Sequence, residues 1–168
     1  MMNELSSEKS DMQRAQVAPR REAMVERILV VDDEQFIREL FADLLASEGY
    51  EVVSASNGRE AIRLAALDTP HLVLLDANMP EMDGIETTRQ LRSQRETCSV
   101  PIIMVTAFEE TRTEALHAGV DDFVTKPFNV ADLLARVMAM LKVGHLEGDA
   151  ERAAAYSHEL RKALSAIE

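Results

Sequence analysis

The chain has 168 residues, 46% of them hydrophobic and 29% charged, with a formal net charge of −12. That length and balance suit one soluble domain with a two-sided core plus some extra sequence. The negative charge excludes nucleic acid as a partner, because the three arginines between Arg14 and Arg21 are too few to make a basic patch.

Residues 1 to about 25 are polar and aperiodic, with Pro19 interrupting any helix, and are expected to be a flexible lead-in. They contain no apolar signal-peptide core, and no stretch of the chain approaches the ~20 apolar residues that span a bilayer. From Arg27 the pattern changes. Ile28–Val31 is a continuous apolar run of the kind a strand buried on both faces requires. Glu34 to Glu48 carries apolar residues at helical spacing (Phe36, Ile37, Leu40, Phe41, Leu44, Leu45), and Gly49 is placed to end that helix. Glu51–Ser56 alternates loosely, as a strand near a sheet edge does. A helix over Gly58–Leu67 stops before Pro70, and His71–Leu75 is the third strand. Helix Gly84–Arg95, strand Pro101–Val105 and helix Glu109–Ala118 follow, the last ending at Gly119. Asp122–Thr125 is a short strand, and Asn129 caps a final helix that runs to Val143.

Strict alternation of strand and helix predicts an α/β fold, a parallel sheet with right-handed crossovers and helices on both faces. Ligands of such sheets bind beyond the carboxyl ends of the strands. Polar residues sit at those ends here: Asp32 and Asp33 after the first strand, Asp76 after the third, Thr106 after the fourth and Lys126 after the fifth. Taken singly, each has a plain reading. An acidic pair is commonly a solvated turn, and Asp76 precedes a loop marked by Pro80 and Gly84. Taken together, three carboxylates at neighbouring strand ends repel one another unless a cation sits among them, and oxygen-only ligands favour Mg²⁺. Asp76 can then act as a nucleophile toward phosphorus, with Lys126 offsetting negative charge on the transferring oxygens. The small Ala107 beside Thr106 leaves the approach open. Cys98, the only cysteine, can neither close an intramolecular disulfide nor complete a metal motif, so a reduced thiol in a cytoplasmic protein is expected.

VVDDE at 30–34, LLDANMPEMDG at 74–84, MVTAF at 104–108 and VDDFVTKPF at 120–128 together resemble the receiver domain of two-component response regulators, over roughly Arg27 to Val143. The resemblance implies a doubly wound (βα)5 flavodoxin-like fold with strand order 2-1-3-4-5 and a receiver domain over 26–145. It implies that Asp76 is the phosphoacceptor and that Asp33, Asp76 and the backbone carbonyl of Asn78 ligate Mg²⁺, with Asp32 acting through a bound water. It implies a cis Lys126–Pro127 bond and a switch in which Thr106 moves toward the phosphoryl group while Phe123 turns inward behind it. A sensor histidine kinase or phosphotransfer protein would donate the phosphoryl group, and a downstream protein would contact residues 109–143. Asn78 and Phe108 flank the path of attacking water, and an apolar Phe108 is expected to slow self-hydrolysis.

Residues 146–168 are expected to form a helical tail, after a joint at Gly144 and Gly148, with Leu160, Leu164 and Ile167 at helical spacing. Ser157-His158-Glu159-Leu160-Arg161 resembles the phosphoacceptor box of sensor histidine kinases, although Lys162 and Ala163 stand where that motif has Thr or Asn and then Pro. The resemblance would make His158 a phosphohistidine and the tail a dimerisation helix. With no ATP-binding domain following in this sequence, His158 is not expected to be phosphorylated in cis. No DNA-binding domain follows either, so signalling through protein contacts is expected rather than enzymatic turnover. Two other readings stay open: a fragment of a hybrid histidine kinase, and an interaction module of the same fold that works without phosphorylation.

Overall fold

The computed structural model describes residues 24–144, 146 and 148–167. Of the expected lead-in at residues 1–25, only Met24 and Val25 are among them, both exposed and outside any helix or strand. Five parallel strands form one sheet in the order β2-β1-β3-β4-β5: β1 Arg27–Val31, β2 Glu51–Ala55, β3 Leu72–Asp76, β4 Ile102–Thr106 and β5 Asp122–Thr125. The helices are α1 Gln35–Ser47, α2 Gly58–Leu67, α3 Gly84–Ser93, α4 Arg112–Ala118, α5 Val130–Val143 and α6 Asp149–Ser165. The strand order is the one expected for a doubly wound fold.

Alternation along the strands divides the core in two. Leu29, Val31, Val73, Leu75, Ile102 and Met104 face α2, α3 and α4 through Ala61, Ala65, Ile85, Leu91 and Ala115. Ile28, Val30, Leu72, Leu74, Ile103 and Val105 face α1 and α5 through Phe41, Leu45, Leu133 and Val137. Every residue of β3 and β4 is buried, whereas the edge strand β2 is buried only at Ala55. The sheet reverses direction of growth between β1 and β3, and that reversal opens a crevice beyond their carboxyl ends.

Two helices differ from the sequence expectation in their ends. Residues Glu109–Thr111 form a 3₁₀ turn before α4 rather than the start of one continuous helix. No side chain caps this turn at Phe108, and tighter hydrogen bonding is a usual answer to uncapped amides. Helix α3 stops at Ser93, because the Thr97 hydroxyl donates to the Leu91 carbonyl at 2.6 Å and turns the chain away.

Gly84 opens α3 against the backbone of the Asp76 turn. A Cβ there would lie 2.5 Å from the Asp76 carbonyl oxygen and 2.9 Å from the Ala77 Cα, both main-chain atoms that cannot swing aside. Gly84→Ala is therefore expected to cost about 1–3 kcal/mol of stability, read as a lower urea midpoint. An unchanged midpoint would show that this contact is not tight.

Candidate functional site

The polar residues singled out in the sequence meet at one end of the sheet. β1 delivers Asp32 and Asp33, β3 ends on Asp76, β4 ends on Thr106, and Lys126 follows β5. Main-chain bonds fix these ends to one another: Asp32 N–H donates to Ala55 O at 3.2 Å, Ala77 N–H to Val105 O at 3.0 Å and Lys126 N–H to Thr106 O at 2.8 Å. The Lys126–Pro127 peptide is cis.

Asp32 and Asp76 are buried, at 1% and 5% exposure, while Asp33 is exposed to solvent. One oxygen from each of the three carboxylates lies within 4.8 Å of the other two. Lys126 Nζ approaches from β5, 3.2 Å from Asp76 Oδ1 and 3.9 Å from Asp32 Oδ2. The two oxygens of Asp32 differ. Oδ1 accepts the Glu34 N–H at 2.9 Å, whereas buried Oδ2 has no hydrogen-bond partner among the described residues. A buried carboxylate oxygen without a donor is costly, and an oxygen-ligated divalent cation removes that cost. The residues therefore fit a hard cation.

Burial raises the pKa of Asp32 from 3.8 to about 6, with the nearby Asp76 charge adding to the rise and the Glu34 amide and Lys126 opposing it. Burial also raises that of Asp76, against the Lys126 ammonium and the Asn78 amide. Without a cation the cluster resists full ionisation.

The remaining predicted residues surround this centre. Asn78 is exposed, and its N–H is 3.5 Å from Asp76 Oδ1. It sits in a loop where Met82 N–H donates to Pro80 O at 2.8 Å across Glu81, which has φ +66°. That is a strained γ-turn, which the Pro80 and Gly84 signals did not reveal. The Thr106 hydroxyl accepts the Phe108 N–H at 3.1 Å and is 3.3 Å from the Phe108 carbonyl. Ala107 is exposed, leaving that side open. Phe123 is buried with the Arg112 guanidinium 5.0 Å from its ring centre, and Phe108 is 53% exposed beside the crevice. His158 lies on the exposed side of α6, remote in sequence and element from the cluster.

Sequence reasoning missed two clusters outside the crevice. The Arg92 side chain donates to Val100 O at 2.7 Å, Gly119 O at 2.9 Å and Asp121 Oδ2 at 2.8 Å, fastening α3 to the turns before β4 and β5. Asp122 is held by Arg136 at 2.8 Å and by the Tyr156 hydroxyl.

The sequence profile of the response regulator receiver domain matches residues 28–138. Response regulator MprA of Mycolicibacterium vanbaalenii is 46% identical over 118 residues, which are 69% of this chain and 50% of that protein. The chain thus spans about half the length of the curated relatives it matches. Among solved structures, the Vibrio cholerae chemotaxis protein CheY4 superposes with a TM-score of 0.65 at 34% identity, covering 68% of this chain and 97% of that one. The receiver domain of the Pseudomonas aeruginosa sensor histidine kinase PA1611 gives 0.66 at 32% identity, covering 70% and 98%, and holds a magnesium ion in its active-site cleft. The family match ends before the tail.

The raised pKa of Asp32 favours the folded, metal-free protein below the unfolded value of 3.8, and that contribution is lost as pH rises through about 6. Asp32→Asn is therefore expected to stabilise the chelator-treated protein above neutral pH by on the order of 1–3 kcal/mol, and to flatten its stability between pH 4 and 7 (about the span of the shift). Denaturant unfolding across pH checks both, and an equally steep profile in the variant would remove Asp32 as the cause.

Proposed function

The chain belongs to the response regulator receiver domain family, and from that membership we propose that it is a phosphorylation-controlled switch whose phosphoacceptor is Asp76. The observation that carries this reading is the convergence of Asp32, Asp33 and Asp76 with the Lys126 ammonium 3.2 Å from Asp76. The donor is a phosphohistidine on a sensor histidine kinase or phosphotransfer protein. An Asp76 carboxylate oxygen bonds to phosphorus as the bond from phosphorus to the imidazole nitrogen breaks, and the electron pair returns to the imidazole. The product is an acyl phosphate on Asp76.

The chain's own residues orient this transfer. Lys126 is already paired with the acceptor carboxylate, so its charge stands where negative charge develops on the phosphoryl oxygens. The Thr106 hydroxyl exchanges its contacts with Phe108 for a phosphoryl oxygen, and Phe123 packs behind it. Asp33, Asp76 and the Asn78 carbonyl, with Asp32 acting through water, would hold Mg²⁺. When bound, that ion supplies the positive charge that lets three carboxylates and a phosphoryl group share one crevice.

The output is a protein contact on residues 109–143, and the chain acts on itself rather than turning over a substrate. No helix among the described residues is long and apolar enough to cross a membrane. Receiver domains also occur within sensor histidine kinases, as the Pseudomonas structure illustrates, and the chemistry at Asp76 is the same in either setting. A phosphorylation-independent module has no need of the full set Asp33, Asp76, Thr106 and Lys126. The Asp76 reading does not need His158, which is exposed on α6 beside Glu159, itself paired with Lys142 at 3.4 Å.

Incubation with a small phosphodonor and Mg²⁺ is expected to add one phosphoryl group, read by intact mass. Asp76→Ala or a chelator should abolish the gain, whereas a gain that persists in Asp76→Ala would move the acceptor elsewhere. Phe108→Glu is expected to speed loss of the phosphoryl group about tenfold by positioning water, followed as decay of the phosphorylated mass. An unchanged decay rate would release Phe108 from that role.

A further inference from the structure

Helix α5 is buried on two opposite sides. Leu133, Val137 and Met140 join the core under the sheet. At about 100° per residue, Ala135 projects from the other side of the helix, where a helix lying on a sheet normally meets water, and Ala139 from the flank between that side and the core residue Val143. They are nevertheless only 4% and 2% exposed and belong to neither core cluster. The cover is α6, which packs along α5, and Ala163 and Ile167 line one open cleft with Ala135.

α6 reaches α5 through one stripe. Ala155, Tyr156, Glu159, Leu160, Ala163 and Leu164 are half-buried, continuing a series that starts at Arg152, and the residues between them are exposed. This spacing is a single helical face. No residue of α6 is fully buried. Its polar fastenings are few: Tyr156 donates to Asp122 and Arg152 to the Leu146 carbonyl at 2.8 Å, both part-buried, and Lys142 meets Glu159 at 3.4 Å at the surface. Removing α6 leaves no buried charge unpaired, because Arg136 still holds Asp122 at 2.8 Å and Lys142 is exposed. The contact is shaped to a helix and inexpensive to undo.

We propose that the outer face of α5 is a docking groove for an amphipathic helix and that α6 is its resting occupant in cis, so that a target reaching this face binds by displacing α6. The occupant defines the target's chemistry. The alanines at 135 and 139 admit small side chains close to the helix axis, as Ala155 and Ala163 are. Asp122 calls for a hydroxyl or other donor at one end, and Lys142 for a carboxylate about one turn further along the target helix. This inference rests on the reading of residues 109–143 as the output surface and adds that part of that surface is already filled. It also assigns the apolar stripe of the tail to its own chain, leaving a polar face outward rather than a dimerisation seam.

The test uses the full chain without a phosphodonor and a fluorescent synthetic peptide of residues 149–167, with anisotropy as the readout and cooperative thermal unfolding as the folding control. Tethered α6 competes at an effective concentration on the order of millimolar. Wild type is therefore expected to bind the peptide at least about tenfold more weakly than Leu160→Asp/Leu164→Asp, in which α6 is released. Tyr156→Phe, which removes only the hydroxyl, should fall between them, and adding Ala135→Arg to the released variant should abolish binding. Equal binding by wild type and the released variant, no binding by the released variant, or binding that survives Ala135→Arg would each overturn the proposal. So would a wild-type dimer in sedimentation that dissociates on release of α6, since the occupant would then be a second copy. Because phosphate takes no part, failure here leaves the Asp76 reading standing, and failure of Asp76 to accept phosphate leaves this one standing.

Discussion

Three carboxylates converge beyond the ends of β1 and β3, and the fold must hold them there against their own repulsion. Asp32 and Asp76 are almost wholly withdrawn from water, which removes the screening that would make such a cluster tolerable on a surface. Lys126 answers part of the charge, since it pairs with Asp76 at 3.2 Å, but it does not satisfy Asp32 Oδ2. The arrangement is thus strained toward gaining positive charge. The sheet supplies the rigidity that keeps it so: β3 and β4 are buried along their whole length, and main-chain bonds lock the strand ends in register. A site of this kind binds ligands that bring compensating charge and geometry, which is what a metal-assisted phosphoryl transfer requires.

The sequence made the crevice legible for a specific reason. Buried parallel strands read as uninterrupted apolar runs, so the first polar residue after each run marks a carboxyl end. Asp32, Asp76 and Thr106 each stand at such a boundary, and Lys126 stands one residue past the one that Thr125 marks. Features that depend on where a side chain travels in space left no such mark. Arg92 joins Gly119 and Asp121 across more than two dozen residues, and nothing local to either end announces it. The γ-turn at Glu81 was hidden because a glutamate ordinarily avoids positive φ. The 3₁₀ turn at Glu109–Thr111 was read as helix because its composition is helical; what it lacks is a cap.

The tail separates what periodicity reveals from what it conceals. The spacing of Leu160 and Leu164 showed that α6 covers an apolar surface without saying which. Helices in proteins draw most of their stability from packing an amphipathic face, and for α6 that face lies on α5. The dependence runs one way, because α5 is anchored in the core by Leu133, Val137 and Met140, whereas α6 buries no residue completely. Opening of α6 is consequently a local event with a free energy well below that of global unfolding.

β5 connects these two regions. It is only four residues long, from Asp122 to Thr125, a span of roughly 13 Å at strand geometry. One end carries Lys126 to the carboxylates, and the other carries Asp122 to Arg136 and Tyr156. Phe123 follows Asp122 directly, and its N–H donates to the Asp122 carboxylate at 2.7 Å. The strand is bonded along one side to β4 over its whole length, from Asp122 to Thr125. Lys126, which pairs with Asp76, and Asp122, which Tyr156 holds, thus stand at the two ends of one four-residue strand. The site and the tail share a structural element, which is the physical requirement for each to bias the other.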